Sequence, residues 1–347
     1  AGSVVLAAQS SVPTTKPNSQ TVCSTAGCQI SYADSGLLLQ VPSLLAAKPM
    51  SASISAVRKS DDALQCVPAF ANVTRSVSFT SAYSNPNSGT QPVVVNGSDV
   101  RATPVNLDLN FDASGTAPLS VRYDDAGLMT LFATYSGSVG TGDTDLQLSD
   151  DDQFVSKPYG LLLQTDTDNS CTADIACPLY PGGIRAGDPF NLRIKAVAWQ
   201  SDGEALTAAA LANNLVTPNF QMGDITLTSA VAAPSDGVGG NLSSADYDHL
   251  LGNQTTVATA ISEVGVFRLS ATPVASYFGE TVSGGTSGLV GRFVPAYLGA
   301  TGSASLTPSC GSAFSYQGQP MNFASGREPT LTITGYNRGG NATTNYD

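Results

Sequence analysis

Histidine is nearly absent from this chain of 347 residues, and charge is scarce: there is one histidine, His249, and only 12% of residues are Asp, Glu, Lys or Arg. A Ser-His-Asp relay needs a base oriented by a carboxylate. His249 stands alone in Ala245-Asp246-Tyr247-Asp248-His249, with no Gly-x-Ser-x-Gly elbow anywhere, and reads as a solvated loop histidine. The formal net charge is −12 and Lys/Arg form no dense cluster, so nucleic acid or an anionic lipid surface would be repelled. No apolar run approaches the ~18 residues of a membrane helix. The opening Ala-Gly-Ser-Val-Val-Leu-Ala-Ala lacks the basic segment of a signal peptide. No Cys-x-x-Cys pair exists, which with a single histidine argues against zinc.

What is present is turn-rich and apolar: 34 Gly, 20 Pro and 41% hydrophobic residues. That composition can build a core and excludes disorder. Six cysteines, an even number, point to disulfides outside the cytosol. Cys23 with Cys28 and Cys171 with Cys177 are the candidate short closures, while Cys66 and Cys310 are the pair least expected to join.

Val105, Leu107, Leu109 and Phe111 alternate with polar residues, as do Phe190, Leu192, Ile194 and Ala196. Period two puts one face on a core and one in water, the mark of a strand. Residues 119–123, 129–135, 266–271 and 331–333 read the same way, and Asn96-Gly97 is a hairpin turn. Only residues 206–216 look briefly helical. The chain is expected to be all-β.

Its organisation shows in a repeat. Asp125-Ala-Gly127-Leu-Met129-Thr-Leu131 lines up with Glu263-Val-Gly265-Val-Phe267-Arg-Leu269 at an offset of 138 (263 − 125). Phe154-Val155 aligns with Phe293-Val294 at 139 (293 − 154), and Gly187-Asp-Pro189-Phe190 resembles Gly318-Gln-Pro320-Met321. Thr217-Pro-Asn219-Phe220 likewise resembles Thr343-Thr-Asn345-Tyr346. These offsets predict tandem immunoglobulin-like β-sandwich modules: residues 1–16 as a linker or the end of a preceding module, 17–156 as module 1, 157–294 as module 2, and 295–347 as the start of an incomplete module 3. Asp125, Gly127, Glu263 and Gly265 are expected at sandwich corners, an acid capping the turn and a glycine relieving it. Tyr123 is placed like the tyrosine-corner residue of such domains.

Acidic stretches offer the one candidate cofactor, calcium, which takes six to eight oxygen ligands. Asp143, Asp145, Asp150, Asp151 and Asp152 form the first candidate set, with Asp166 and Asp168 a second group. None fits an EF-hand loop, and a solvated acidic turn is the alternative.

Several segments together carry a resemblance: Arg122-Tyr123-Asp124-Asp125-Ala126-Gly127, Phe154-Val155-Ser156-Lys157-Pro158-Tyr159-Gly160, Ala186-Gly187-Asp188-Pro189-Phe190, Gly291-Arg292-Phe293-Val294-Pro295 and Phe314-Ser315-Tyr316-Gln317-Gly318-Gln319-Pro320. In this order they resemble a large domain of bacterial surface proteins typified by the MshQ proteins of the mannose-sensitive haemagglutinin pilus, a type IV pilus. The resemblance runs from about Cys66 to the last residue. It implies a Gram-negative cell-surface location, pilus subunits or a surface receptor as partners beside other segments of the same longer protein, and no catalytic residues. The expected function is therefore a non-enzymatic stalk or tip scaffold in pilus biogenesis or attachment. The alternative is a glycan-binding or glycan-cleaving domain on a β-sandwich.

Overall fold

The computed structural model describes residues 2–5, 29–32, 35–60, 66–165, 184–311 and 313–346. Among them the single α-helix is Ala208–Leu211, within the stretch that looked helical, and every other element is a β-strand. Contacts divide the chain into two compact units, Ala1–Leu44 with Lys48–Ser156, and Leu45–Ala47 with Lys157–Asp347.

The first unit is a sandwich of two sheets. In one, Val105–Phe111, Val73–Asn85, Gly127–Ser136 and Gln147–Lys157 lie side by side. In the other, Ser35–Gln40, Met50–Lys59, Thr116–Tyr123, Val93–Val95 and Ser98–Val100 follow one another, with Cys66–Pro68 also beside Met50–Lys59. The predicted hairpin at Asn96-Gly97 joins two of these strands, with φ of 48° and 83°. Alternation along each strand delivers the core: Leu37, Leu39, Ile54, Val77, Phe79, Leu119, Val121, Tyr123, Met129, Leu131 and Phe154 are all buried in one cluster. Phe70 closes one end of it, edge-on to Phe111 and Tyr135 at 5.1 and 4.9 Å between ring centroids. Separately, Gly2–Val5 pairs antiparallel with Gln29–Tyr32.

The second unit opens with a three-stranded sheet ordered Gly160–Thr165, Phe190–Val197, Thr255–Thr259. Against it stands a four-stranded sheet ordered Asp246–His249, Met222–Ala233, Gly265–Pro273, Gly285–Phe293. Phe190 from the first sheet meets Phe293 from the second at 5.6 Å, and Phe293 meets Phe267 at 6.0 Å. Beyond these strands, Tyr297–Ser303 pairs with Thr330–Tyr336, and Leu306–Thr307 with Asn322–Phe323.

The repeat read from the sequence is visible in the strand order. Gly127–Ser136 and Gly265–Pro273 each lie between the strand that precedes them in their sheet and the strand that follows them in the chain. The register corrects one alignment. Gly127 faces Ser156 and Gly265 faces Phe293, so Phe293 stands where Ser156 does, at an offset of 137 (293 − 156), and not where Phe154 does. That spacing also brings Pro158 and Pro295 into correspondence. Bulges beside Gly265 and Arg268 shift the second copy, which an alignment by residue type does not detect.

Candidate functional site

The two corners are built alike. Asp125 and Glu263 are both buried, and each caps its own turn: Asp125 Oδ1 accepts the Ala126 N–H at 2.7 Å, and Glu263 Oε1 the Val264 N–H at 2.9 Å. The glycine two residues on takes positive φ, 148° at Gly127 and 126° at Gly265. A side chain there would meet the neighbouring strand's backbone, because an ideal Cβ falls 2.9 Å from the Asn85 carbonyl oxygen at Gly127 and 2.4 Å from that of Ala233 at Gly265. Each crowding strand is followed directly by a proline, Pro86 after Asn85 and Pro234 after Ala233. The Ser156 hydroxyl donates to the Asp125 carbonyl at 2.6 Å. Tyr123 is fully buried in the core cluster.

Glu263 does more than cap. Its Oε2 accepts the N–H and the hydroxyl of Thr344 at 2.8 and 2.9 Å, and its Oε1 also accepts the Asn345 N–H at 3.2 Å. The Asn345 amide then donates to the carbonyls of Val238 and Val264. These partners lie over 80 residues away in sequence, and nothing local in the sequence signals them.

The second half of the acidic stretch is not a solvated turn. Asp150, Asp151 and Asp152 sit inside the strand Gln147–Lys157. Alternation turns Asp150 and Asp152 to one side, where their carboxylates accept the backbone N–H groups of Leu39 and Val41, both at 2.7 Å. Those amides belong to the outer edge of the other sheet, so the two aspartates stitch the sandwich shut and cover an edge that would otherwise stay unpaired. Asp151 is exposed on the opposite side.

Asp143 lies in the preceding turn. It accepts hydrogen bonds from the Tyr135 hydroxyl at 2.7 Å and from Thr141, and its carboxylate is 3.4 Å from Arg75 Nε. Burial opposes its ionisation, but the bonds from Thr141, Tyr135 and Ser138 and the Arg75 charge outweigh that and hold its pKa below the usual value. Asp145 is exposed. Among the described residues no three His, Cys, Asp or Glu side chains converge in a way that could hold a metal ion. The five candidates are thus dispersed over a turn and two faces of a strand. Asp166 and Asp168 lie outside the described residues.

His249 is a correction of another kind. It is not a solvated loop residue but the last residue of a strand, 1% exposed, packed against Phe220 with ring centroids 5.2 Å apart. Burial lowers its pKa to about 4. Its Nδ1 lies 3.3 Å from the Tyr247 hydroxyl, whose pKa burial raises. The strand alternates outward Asp246, inward Tyr247, outward Asp248, inward His249. Both carboxylates that could have oriented the ring therefore point away from it, and Asp248 instead accepts the Asp224 N–H at 3.1 Å.

Cys23, Cys28, Cys171 and Cys177 lie outside the described residues. Cys66 and Cys310 are free thiols, the first exposed on Cys66–Pro68, the second donating weakly to Gln319 Oε1 at 3.7 Å. No helix among the described residues is long and apolar enough to cross a membrane.

Repeated sandwiches with matching acid–glycine corners define an immunoglobulin-like repeat protein. Residues 15–151 match the first, Ig-like domain of the family with a domain of unknown function named DUF6701, residues 157–260 match its second domain and residues 263–347 its third. The chain belongs to that family. The second and third matches share one sheet, Met222–Ala233 and Asp246–His249 coming from one and Gly265–Pro273 and Gly285–Phe293 from the other. No curated protein matches the chain. Similar solved structures include the D0-D1 domain of intimin (17% identity, 75% of this chain and 97% of that one, TM-score 0.23). Invasin, a bacterial integrin-binding protein, is similar at 11% identity over 90% of this chain and 48% of its own, with a TM-score of 0.31. The adhesin InvE of Yersinia pseudotuberculosis is similar at 14%, over 69% and 55%, with a TM-score of 0.29. Superpositions this loose carry no argument about function.

Proposed function

We propose that this chain is a non-enzymatic bacterial cell-surface protein of the MshQ type, a stalk or tip scaffold in pilus biogenesis or attachment. The observation that carries the reading is the repetition of one sandwich corner in both units, with its buried acids tied to backbone amides. Catalysis needs one differentiated cleft with perturbed ionisable groups. Here the two strongly perturbed groups, Tyr247 and His249, are both shifted by burial, lie side by side, and are turned away from the neighbouring carboxylates, with His249 packed on Phe220, which suits a scaffold. The ordered motifs shared with MshQ proteins support the surface and pilus setting. Antibody labelling of unpermeabilised source bacteria, before and after pili are sheared off, tests this setting. Label on intact cells that leaves with the pili is expected, and label that appears only after permeabilisation overturns the reading.

A further inference from the structure

Within the first unit, Val105–Phe111 is the outermost strand of its sheet, paired on one side with Val73–Asn85. Among the described residues no strand lies along its other side. Packing shows the same opening. Val105 and Leu107, turned toward the core, are only half-buried, while Phe79 and Val77 facing them across the ladder are 0% exposed. The other flank of the sandwich is closed, because Asp150 and Asp152 take the amides of Leu39 and Val41. The second unit repeats the open edge. Asp246–His249 lies beside Met222–Ala233 as Val105–Phe111 lies beside Val73–Asn85, and it too ends its sheet, with Asp246 and Asp248 as its outward residues.

Alternation settles which amides face the open edge. The N–H of Asn72 donates to the Asp112 carbonyl at 3.1 Å, so Asn110, Asp108 and Asn106 share the orientation of Asp112 and bond toward Val73–Asn85. The N–H and C=O groups of Val105, Leu107, Leu109 and Phe111 therefore point outward. The strand itself, Val-Asn-Leu-Asp-Leu-Asn-Phe, reads nearly the same in both directions about Asp108. A second copy laid antiparallel along the edge, with a two-fold axis at Asp108, would meet its like almost throughout. Leu107 would stand opposite Leu109, Val105 opposite Phe111 and Asn106 opposite Asn110, with each outward amide hydrogen-bonded across the axis. Asp108 alone would meet itself. It falls in a non-hydrogen-bonded pair, where facing Cα atoms are about 4.5 Å apart, and two carboxylates would stand side by side.

We propose that Val105–Phe111 is a self-complementary edge that fits a second copy of this chain, and that the charge of Asp108 holds it shut. An unpaired strand is a template for another chain, and a charge on it is one of the ways such an edge is blunted. Asp108 is the only charged residue of this strand and sits at its centre of symmetry, where one carboxylate per chain opposes the pairing most directly. Asp246 and Asp248 put the same sign of charge on the corresponding edge of the second unit. This role is independent of the surface the protein uses in attachment.

Sedimentation of the full 347-residue chain and of its Asp108 variants tests this, with thermal melting to check that each variant keeps its fold at this exposed position. Wild type is expected to remain monomeric. Asp108→Asn is expected to dimerise about tenfold or more tightly than wild type, with amide exchange at Leu107 and Leu109 slowing as concentration rises. Asp108→Lys alone is expected to stay monomeric, because like charges again face each other. Mixed with wild type, it should give a one-to-one heterodimer through an ion pair across the axis. Asp108→Asn no more associated than wild type overturns the proposal, as does a dimer that leaves exchange at Leu107 and Leu109 unchanged. A mixture of wild type and Asp108→Lys that stays monomeric overturns it as well.

Discussion

Glu263 and Thr344 are joined twice, the carboxylate oxygen Oε2 accepting both the backbone N–H and the side-chain hydroxyl of the threonine. An aspartate at position 263 would still reach the Val264 N–H, as Asp125 reaches that of Ala126, but would fall short of Thr344. Glu263→Asp is therefore expected to free residues 343–346 while leaving the corner formed. Hydrogen exchange at Thr344 and Asn345 should rise while that at Val264 holds. Glu263→Ala should lose both and cost about 1–3 kcal/mol in denaturant unfolding.

The corner glycines should resist substitution unequally. Both need positive φ, but the backbone approach at Gly265 is closer than at Gly127, 2.4 Å against 2.9 Å to the nearest carbonyl oxygen. Alanine at either is expected to destabilise by about 1–3 kcal/mol, with Gly265→Ala the worse of the two. Thermal melting of the two variants side by side checks the order.

His249 predicts a pH dependence with a definite sign. Folded, its pKa is lowered to about 4 by burial, and in the unfolded chain it titrates near 6.5. Between these values the unfolded chain binds a proton that the folded chain refuses. Its contribution to stability is whole above about pH 6.5 and is lost as pH falls toward 4, by about 3 kcal/mol at most. Urea unfolding from pH 7 to 4 should show that loss, and His249→Phe, which keeps a ring against Phe220, should flatten the profile over this range.

Asp150 and Asp152 should matter to a strand on the other sheet. Replacing both with Ala leaves the N–H groups of Leu39 and Val41 without their acceptors. We expect exchange at those two amides to quicken and unfolding to cost about 2–4 kcal/mol less. Millimolar calcium, which would compete with these bonds, should leave the melting temperature of the wild-type chain where it stands in EDTA.

Period two made the strands legible. Val105–Phe111 and Phe190–Val197 are strands with the anticipated apolar side toward the core, and the 138-residue spacing located two equivalent strands in separate sheets. What alternation does not encode is where a short polar run lies relative to a strand end. Asp150–Asp152 resemble a solvated turn in sequence because three carboxylates carry no apolar face, yet Ala133, Phe132 and Leu131 across the ladder hold them in register. His249 looked solvated because its flanking aspartates are polar, although alternation itself buries every second residue there. The Glu263 bonds to Thr344 and Asn345 depend on a chain path that no local pattern carries.

The central claim is that the protein presents surface and does not turn over a substrate. Attachment of the source bacterium carrying an in-frame deletion of this segment, compared with the same strain complemented by the wild-type chain, measures it most directly. Pilus-dependent attachment is predicted to fall on deletion and to return on complementation, including with a chain carrying His249→Phe. Attachment unchanged by the deletion, with purified protein instead cleaving a polysaccharide and losing that activity on replacement of one carboxylate, would contradict the account.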